Sequence, residues 1–379
     1  MQVETLSYTV ESGWSAREFP ALDSDKTLVI VFGATRFLDD PGPVAELAAA
    51  YPQAALIGCS TSGEILGAAI RDDSLAVAVL RFESTTLATV VAPVESAAAS
   101  RAAGEALARE LLNPSLRGVF VLSDGLLVNG SELIGGLNAV LPETVIVTGG
   151  LAGDGARFQR TWVIKDGRPQ PGFASAVGFY GDQVRIGHGS KGGWDIFGPE
   201  RVITRSEGNV LYELDGRPAL QLYKEYLGER AAELPASALL FPLAVRAGPA
   251  DEKQVVRTVL AIDEAKQSMT FAGDLPQGYR GQLMKANFDR LVDGASGAAL
   301  VTQERNPCSG PALVIAISCV GRRLVMGERT EEELEAVLEA LPAGVQQVGF
   351  YSYGEISPYA AGHCDLHNQT MTLTTICEG

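Results

Sequence analysis

The sequence predicts an α/β (α+β) protein in two parts, built from repeated strand-helix-strand-strand units around mixed β-sheets. Three observations carry that prediction. Apolar, β-branched runs such as TLVIVF at 27–32 alternate with stretches whose apolar residues recur at helical spacing. In three places a predicted helix stops at a proline (Pro52, Pro142 or Pro342) and an apolar strand follows. Each strand then reaches a glycine-acid pair, Gly63-Glu64, Gly153-Asp154 or Gly354-Glu355, which lies 12, 12 and 13 residues beyond its proline.

The first unit covers 27–67. After its strand, Asp40 and Pro41 offer an N-cap and a first helical position, and Val44, Leu47, Ala48 and Tyr51 fall on one helix face. The strand ALIGCS leads to Gly63-Glu64, and SLAVAVLRF supplies a further strand. In the second unit GVFVLS is the strand. The helix begins near Asn129 or Ser131 and aligns Leu133, Leu137, Val140 and Leu141, and TVIVTGGLA returns to Gly153-Asp154. In the third, ALVIAISC is the strand. Thr330 with Glu333 reads as a capping box, and Leu334, Val337, Leu338 and Leu341 form the apolar stripe. Glycine suits sharp turns with positive φ, so the expectation is that these turns gather at one end of the sheets.

The division into parts is expected near LDGRPALQLYKEYLG: an extension over 1–26, a first part over 27–215 and a second over 216–379. Asp215-Gly216 reads as a turn and Pro218 as a helix start, with ALLFPLAVRAG and VVRTVLAID as neighbouring strands.

Composition narrows the function. The 379 residues are 46% hydrophobic and 20% charged, which describes a packed globular chain. A net charge of -16 excludes nucleic acid and anionic membrane as primary partners, since both demand a positive face. The N-terminus lacks the basic and apolar regions of a secretory signal, and apolar runs such as PALVIAISCVG fall short of a bilayer span. Five cysteines without a C-x-x-C pair read as reduced thiols in the cytoplasm.

At IGCSTSGEI, TGGLAGDGARFQRTWVIKDG and GHGSKGGWDIFGP, and again at CVGRRLVMGERTEEE, GFYSYGEISPY and LHNQTMTLT, the chain resembles the FIST sensory domain, with its N-terminal and C-terminal parts. The resemblance implies an intracellular, bacterial sensor of small molecules, with amino acids and related metabolites as ligands and no cofactor. It also implies an output through histidine kinases, cyclic-di-GMP enzymes or chemoreceptors. With no transmitter segment expected after Gly379, the output is expected to be a separate protein. One branch of the family is similar to haem-containing nitric-oxide sensors. For that alternative His188, His363 and His367 are the axial-ligand candidates.

The residues single out a candidate pocket, mostly in the third unit. Arg322 follows a strand end, where open α/β sheets place their crevice, and a guanidinium grips a carboxylate bidentately. Glu355 supplies the acceptor for an ammonium, Tyr351 and Tyr353 an amphipathic wall, and His367 and Asn368 polar contacts. A cation beside a carboxylate suits an amino-acid-like ligand. Glu64 and Cys59 are candidates from the first unit, with the alternative that Glu64 and Asp154 brace loops. His363, Cys364 and His367 are close enough for a metal but lack a fourth ligand, so no metal is expected. Cys59, Ser60 and Cys319 are the nucleophile candidates of an enzyme alternative. There is no G-x-S-x-G elbow and few histidines are available to act as base.

Overall fold

The computed structural model describes residues 1–379 except 235, 252, 306, 309, 360 and 361, and the side chain of residue 236. Each of the three units expected from the sequence is present. In the first, strand Thr27–Gly33 lies parallel to Ala55–Ser60 across helix Gly42–Ala50, and Ser74–Arg81 returns antiparallel beside the first strand. In the second, Leu116–Ser123 and Ile146–Leu151 are the parallel pair, joined by helix Gly130–Val140, and Phe173–Tyr180 returns. In the third, Ala312–Cys319 and Gln346–Ser352 are the parallel pair, joined through helix Thr330–Ala340, and Met371–Glu378 returns.

Between its second strand and its returning strand, each unit extends a hairpin that pairs with another unit's sheet. The first hairpin, Glu64–Leu66 with Ala69–Arg71, pairs with Gln346–Ser352 of the third sheet. The third, Gly354–Pro358 with Cys364–His367, pairs with Ile146–Leu151 of the second sheet. The second, Val163–Lys165 with Arg168–Gln170, pairs with Ala55–Ser60 of the first sheet. The exchange closes on itself. Each glycine-acid pair thus lies where the chain leaves its own sheet for a neighbour's.

The inward faces of the three sheets share one core, in which Leu28, Ile30 and Phe32 meet Phe120 and Phe179 and also Ile315 and Phe350. Phe32 and Phe350 lie 4.7 Å apart, ring centre to ring centre. The alternate residues Val29 and Val31 pack under the first helix with Val44 and Leu47. Burial on both faces is why these strands read as continuous apolar runs rather than alternating ones. Each fully buried Leu or Phe contributes about 1.5–3 kcal/mol.

A fourth set of strands, between Arg201 and Lys285, forms its own sheet and its own core around Tyr223, Leu243 and Phe271. It is inserted within the third unit, after Val184–Lys191, which pairs with the returning strand, and before helix Phe288–Arg305. The expected boundary at 216 falls inside this inserted sheet, between strand Val210–Leu214 and helix Ala219–Leu227.

Three expectations are corrected. The first helix begins at Gly42 with Pro41 as its N-cap, and no side chain caps it, so Asp40 does not. Asn129 does cap its helix by accepting from the Glu132 amide, but Thr330 and Glu333 make no capping box. The helix N-cap is Arg329, and Glu333 turns inward. The thiols are not all reduced: Cys308 and Cys377 are joined in a disulfide, while Cys59, Cys319 and Cys364 are free and buried.

Candidate functional site

The three turns do gather at one end of the sheets, and they hydrogen-bond to one another. Ser62 of the first donates its amide to Tyr351 O of the third (2.8 Å), while its hydroxyl accepts from the Gly155 amide of the second (2.9 Å). Tyr351 donates back to Gly63 O (2.9 Å), and Tyr353 donates to Leu151 O (3.2 Å).

Two of the acids repeat a single arrangement. Glu64 accepts from the Thr61 hydroxyl three residues earlier and from the amide and hydroxyl of Ser74, where the returning strand begins. Glu355 accepts from Ser352 Oγ (2.6 Å) and from the amide and hydroxyl of Thr370 (3.3 and 2.9 Å). Both are buried. Burial pushes their carboxyls up to about 7 for Glu64 and about 8 for Glu355, against the lowering effect of these hydrogen bonds. Asp154 instead gathers its own loop. It accepts from Thr35 Oγ1, from Arg157 and from the amides of Gln159 and Arg160.

Arg322 is wholly buried, with Nε and Nη2 on Glu333 Oε2 at 3.0 and 2.7 Å and further bonds to Gly192 O and Leu291 O. Ser318 and the Tyr351 hydroxyl donate to the other Glu333 oxygen. Glu333 therefore takes the place the sequence reading gave to a ligand carboxylate. Cys59 packs in the shared core, where burial holds its thiol well above the ordinary range, and burial pushes Cys319 up to about 12. His367 is buried, with Nε2 2.9 Å from Ser357 O, and Asn368 donates to His367 O. Arg322 and Tyr351 thus share Glu333, whereas Glu64, Asp154, Glu355, His367 and Asn368 make hydrogen bonds separate from it.

Tyr353 is different. It lines a cavity of about 830 Å³ at the carboxyl ends of the parallel strands, where Gly125, Leu151, Cys319 and Tyr353 meet Thr258 and Leu260 of the inserted sheet. Open α/β sheets bind ligands at such strand ends. Beside it lies a smaller cleft of about 310 Å³, and the segment around Arg257 and Thr258, with Leu366, forms the wall between them.

The small cleft is polar. Arg246, Lys253 and Arg257 line it together with Asp251, Asp274 and Asp365. Lys253 pairs with Asp365 at 2.7 Å, and Arg246 pairs with Glu200. Arg257 is buried and donates to backbone carbonyls, those of Asp274, Val256 and Leu366, at 3.0–3.1 Å, rather than to a carboxylate. Burial lowers its pKa to about 10, which leaves it charged at neutral pH.

Among the described residues no histidine lines either cavity. His188 is buried against Arg305, and burial lowers it to about 4; His363 lies near Glu143 at 3.6 Å. Neither cavity therefore offers haem an axial imidazole. Among the described residues no group of three His, Cys, Asp or Glu is placed to hold a metal ion.

Sequence reasoning missed Arg257, Asp365, Phe158 and Leu324. The nearest signal was GDGARFQR, in which a large apolar residue sits within a polar, glycine-rich loop.

The FIST N domain model matches residues 27–217 and the FIST C domain model residues 219–358. Two Mycobacterium tuberculosis proteins, from strains CDC 1551 and H37Rv and both uncharacterized, are 26% identical over 361 residues, covering 91% of this chain and 90% of theirs. An uncharacterized Methanocaldococcus jannaschii protein is 26% identical over 241 residues, covering 56% of this chain and 45% of its own length. With both domain models matched in order along the chain, it belongs to the FIST family of sensory domains.

Proposed function

We propose that this protein is a sensor of an amino-acid-like or small carboxylate ligand, held in the polar cleft. Its signal passes to a separate partner in the cytoplasm: a histidine kinase, a cyclic-di-GMP enzyme or a chemoreceptor. FIST domains are sensory and bind small ligands, and among the described residues no helix is long and apolar enough to cross a membrane.

The observation that carries the reading is Arg257, a buried guanidinium with backbone carbonyls as its hydrogen-bond partners, in a cleft lined by three cations and three carboxylates. Such a lining favours a ligand bearing both signs, because charge-assisted hydrogen bonds form to each end. At about 310 Å³ the cleft sits at the small end of ligand sites.

The test is thermal melting with amino acids, short peptides, polyamines and small carboxylates. A ligand at 100 times its Kd stabilises the folded state by about 2.7 kcal/mol, which raises Tm by several degrees. The expected result is a shift confined to zwitterions or carboxylates and lost in Arg257→Gln. No shift with any class refutes the reading, and a shift that survives Arg257→Gln places the ligand elsewhere.

A further inference from the structure

The larger cavity has a chemistry opposite to that of the polar cleft. Among the described side chains lining it, Glu233 alone is charged. Arg322 and Arg257 lie close behind its wall, but the first is engaged by Glu333 and the second faces the other cleft. An anionic ligand would leave its charge unpaired here, at a substantial desolvation cost.

Its apolar side chains are conspicuously wet. Leu126, Phe158, Leu260 and Leu324 are 37%, 47%, 47% and 47% exposed, and all four line this one cavity. Large apolar groups gathered around a concavity, rather than scattered singly, mark a binding site.

Phe158 adds a specific sign. Its φ is +52°, a conformation that a bulky residue adopts at a cost of order 1–3 kcal/mol. The loop is held there by Asp154, which accepts from Arg157 and from the Gln159 and Arg160 amides on either side of the phenylalanine. The ring stacks on Tyr353 with centroids 4.4 Å apart and planes 12° apart, and Tyr353 is itself fixed by its hydroxyl on Gly155 O (3.0 Å). One face of Phe158 is thus supported while the ring stays half exposed.

The geometry points to a second ligand site in the 830 Å³ cavity, one that takes an uncharged, largely apolar molecule with an aromatic ring. The ring stacks on Phe158, and Leu260 and Leu324 close over the apolar body. The ligand joins the inserted sheet to the second and third units, since each contributes to the lining. This site does not depend on the polar cleft or on its proposed ligand.

The test uses the full chain and N-phenyl-1-naphthylamine, a neutral aromatic probe whose fluorescence rises in apolar surroundings. Saturable binding at one site per chain is expected. Phe158→Ala and Leu324→Glu, both at exposed positions, should weaken it about tenfold or more, with unchanged circular dichroism. Saturating amino acids should leave it unaltered, which separates this site from the polar cleft. The proposal is overturned if the probe fails to bind or binds equally well to both variants. It is also overturned if sedimentation shows a dimer that Leu324→Glu dissociates, because the apolar rim is then an interface between copies.

Discussion

At Glu64 and Glu355 burial works against ionisation: each carboxyl has left water for a site where its hydrogen bonds come from neutral hydroxyls and amides. An acid whose folded-state pKa lies above its unfolded value keeps its proton longer when folded. Over that interval the folded state binds more protons than the unfolded one, so stability falls as pH rises. These two groups favour folding fully below about pH 4.5 and lose that contribution as pH climbs through 7 and 8. Each pKa unit is worth about 1.4 kcal/mol, so the loss amounts to a few kcal/mol. Melting temperatures measured from pH 5 to 8 should therefore decline in the native protein and decline less in Glu64→Gln and Glu355→Gln. Equal slopes in all three would show that neither carboxyl titrates in this range. Arg322 shows where sequence reading stopped at this scale. Its strand-end position was legible, but its partner Glu333 lies on a helix that the local pattern read as capped by that same residue.

At the scale of elements, Gly58 and Gly63-Glu64-Ile65 share their spacing with Gly349 and Gly354-Glu355-Ile356, and each glycine has a reason. The second one stands at the exit to the exchanged hairpin, where Gly63 has φ +128° and a side chain would strike the Arg323 guanidinium. The first lies on the second strand of its unit, against the parallel first strand. A Cβ on Gly58 would come within 2.3 Å of Val31 O, one on Gly349 within 1.8 Å of Ala316 O, and Gly149 of the second unit repeats the contact at 1.8 Å from Val121 O. Backbone cannot yield as a flexible side chain can, so overpacking here should cost about 1–3 kcal/mol or more. Gly349→Ala should lower the urea midpoint at unchanged m-value. Gly42→Ala, whose new methyl meets nothing closer than Asp40 Oδ1 at 3.5 Å, should leave the midpoint almost where it was. A Gly349→Ala midpoint matching that of the native chain would mean the strands separate without penalty.

For the whole molecule, the repeat was legible because each unit carries its own strand, helix and turn signals within about 40 residues. What no local pattern records is which sheet a hairpin joins. Hairpin exchange couples residues 280 positions apart, as in the bond from Gln347 Nε2 to Gly67 O. The cavities were hidden for the same reason, since their walls come from the inserted sheet and two of the units. Exchange also ties the two matched domains into one folding unit. Residues 1–217 alone would keep the hairpin Glu64–Arg71 but lack the third sheet it pairs with, and Ile146–Leu151 would lose its partner Gly354–Pro358. Both losses bare unpaired strand edges and apolar faces such as Ile65 and Leu151, a state prone to aggregation. Residues 1–217 should therefore be insoluble or unfold without a cooperative transition, and co-expression with 218–379 should restore a soluble complex that melts as one species. A separately expressed 1–217 with a sharp two-state melt would show instead that the exchanged hairpins are dispensable. The inserted sheet, which keeps its own core, would then remain as the main tie between the halves.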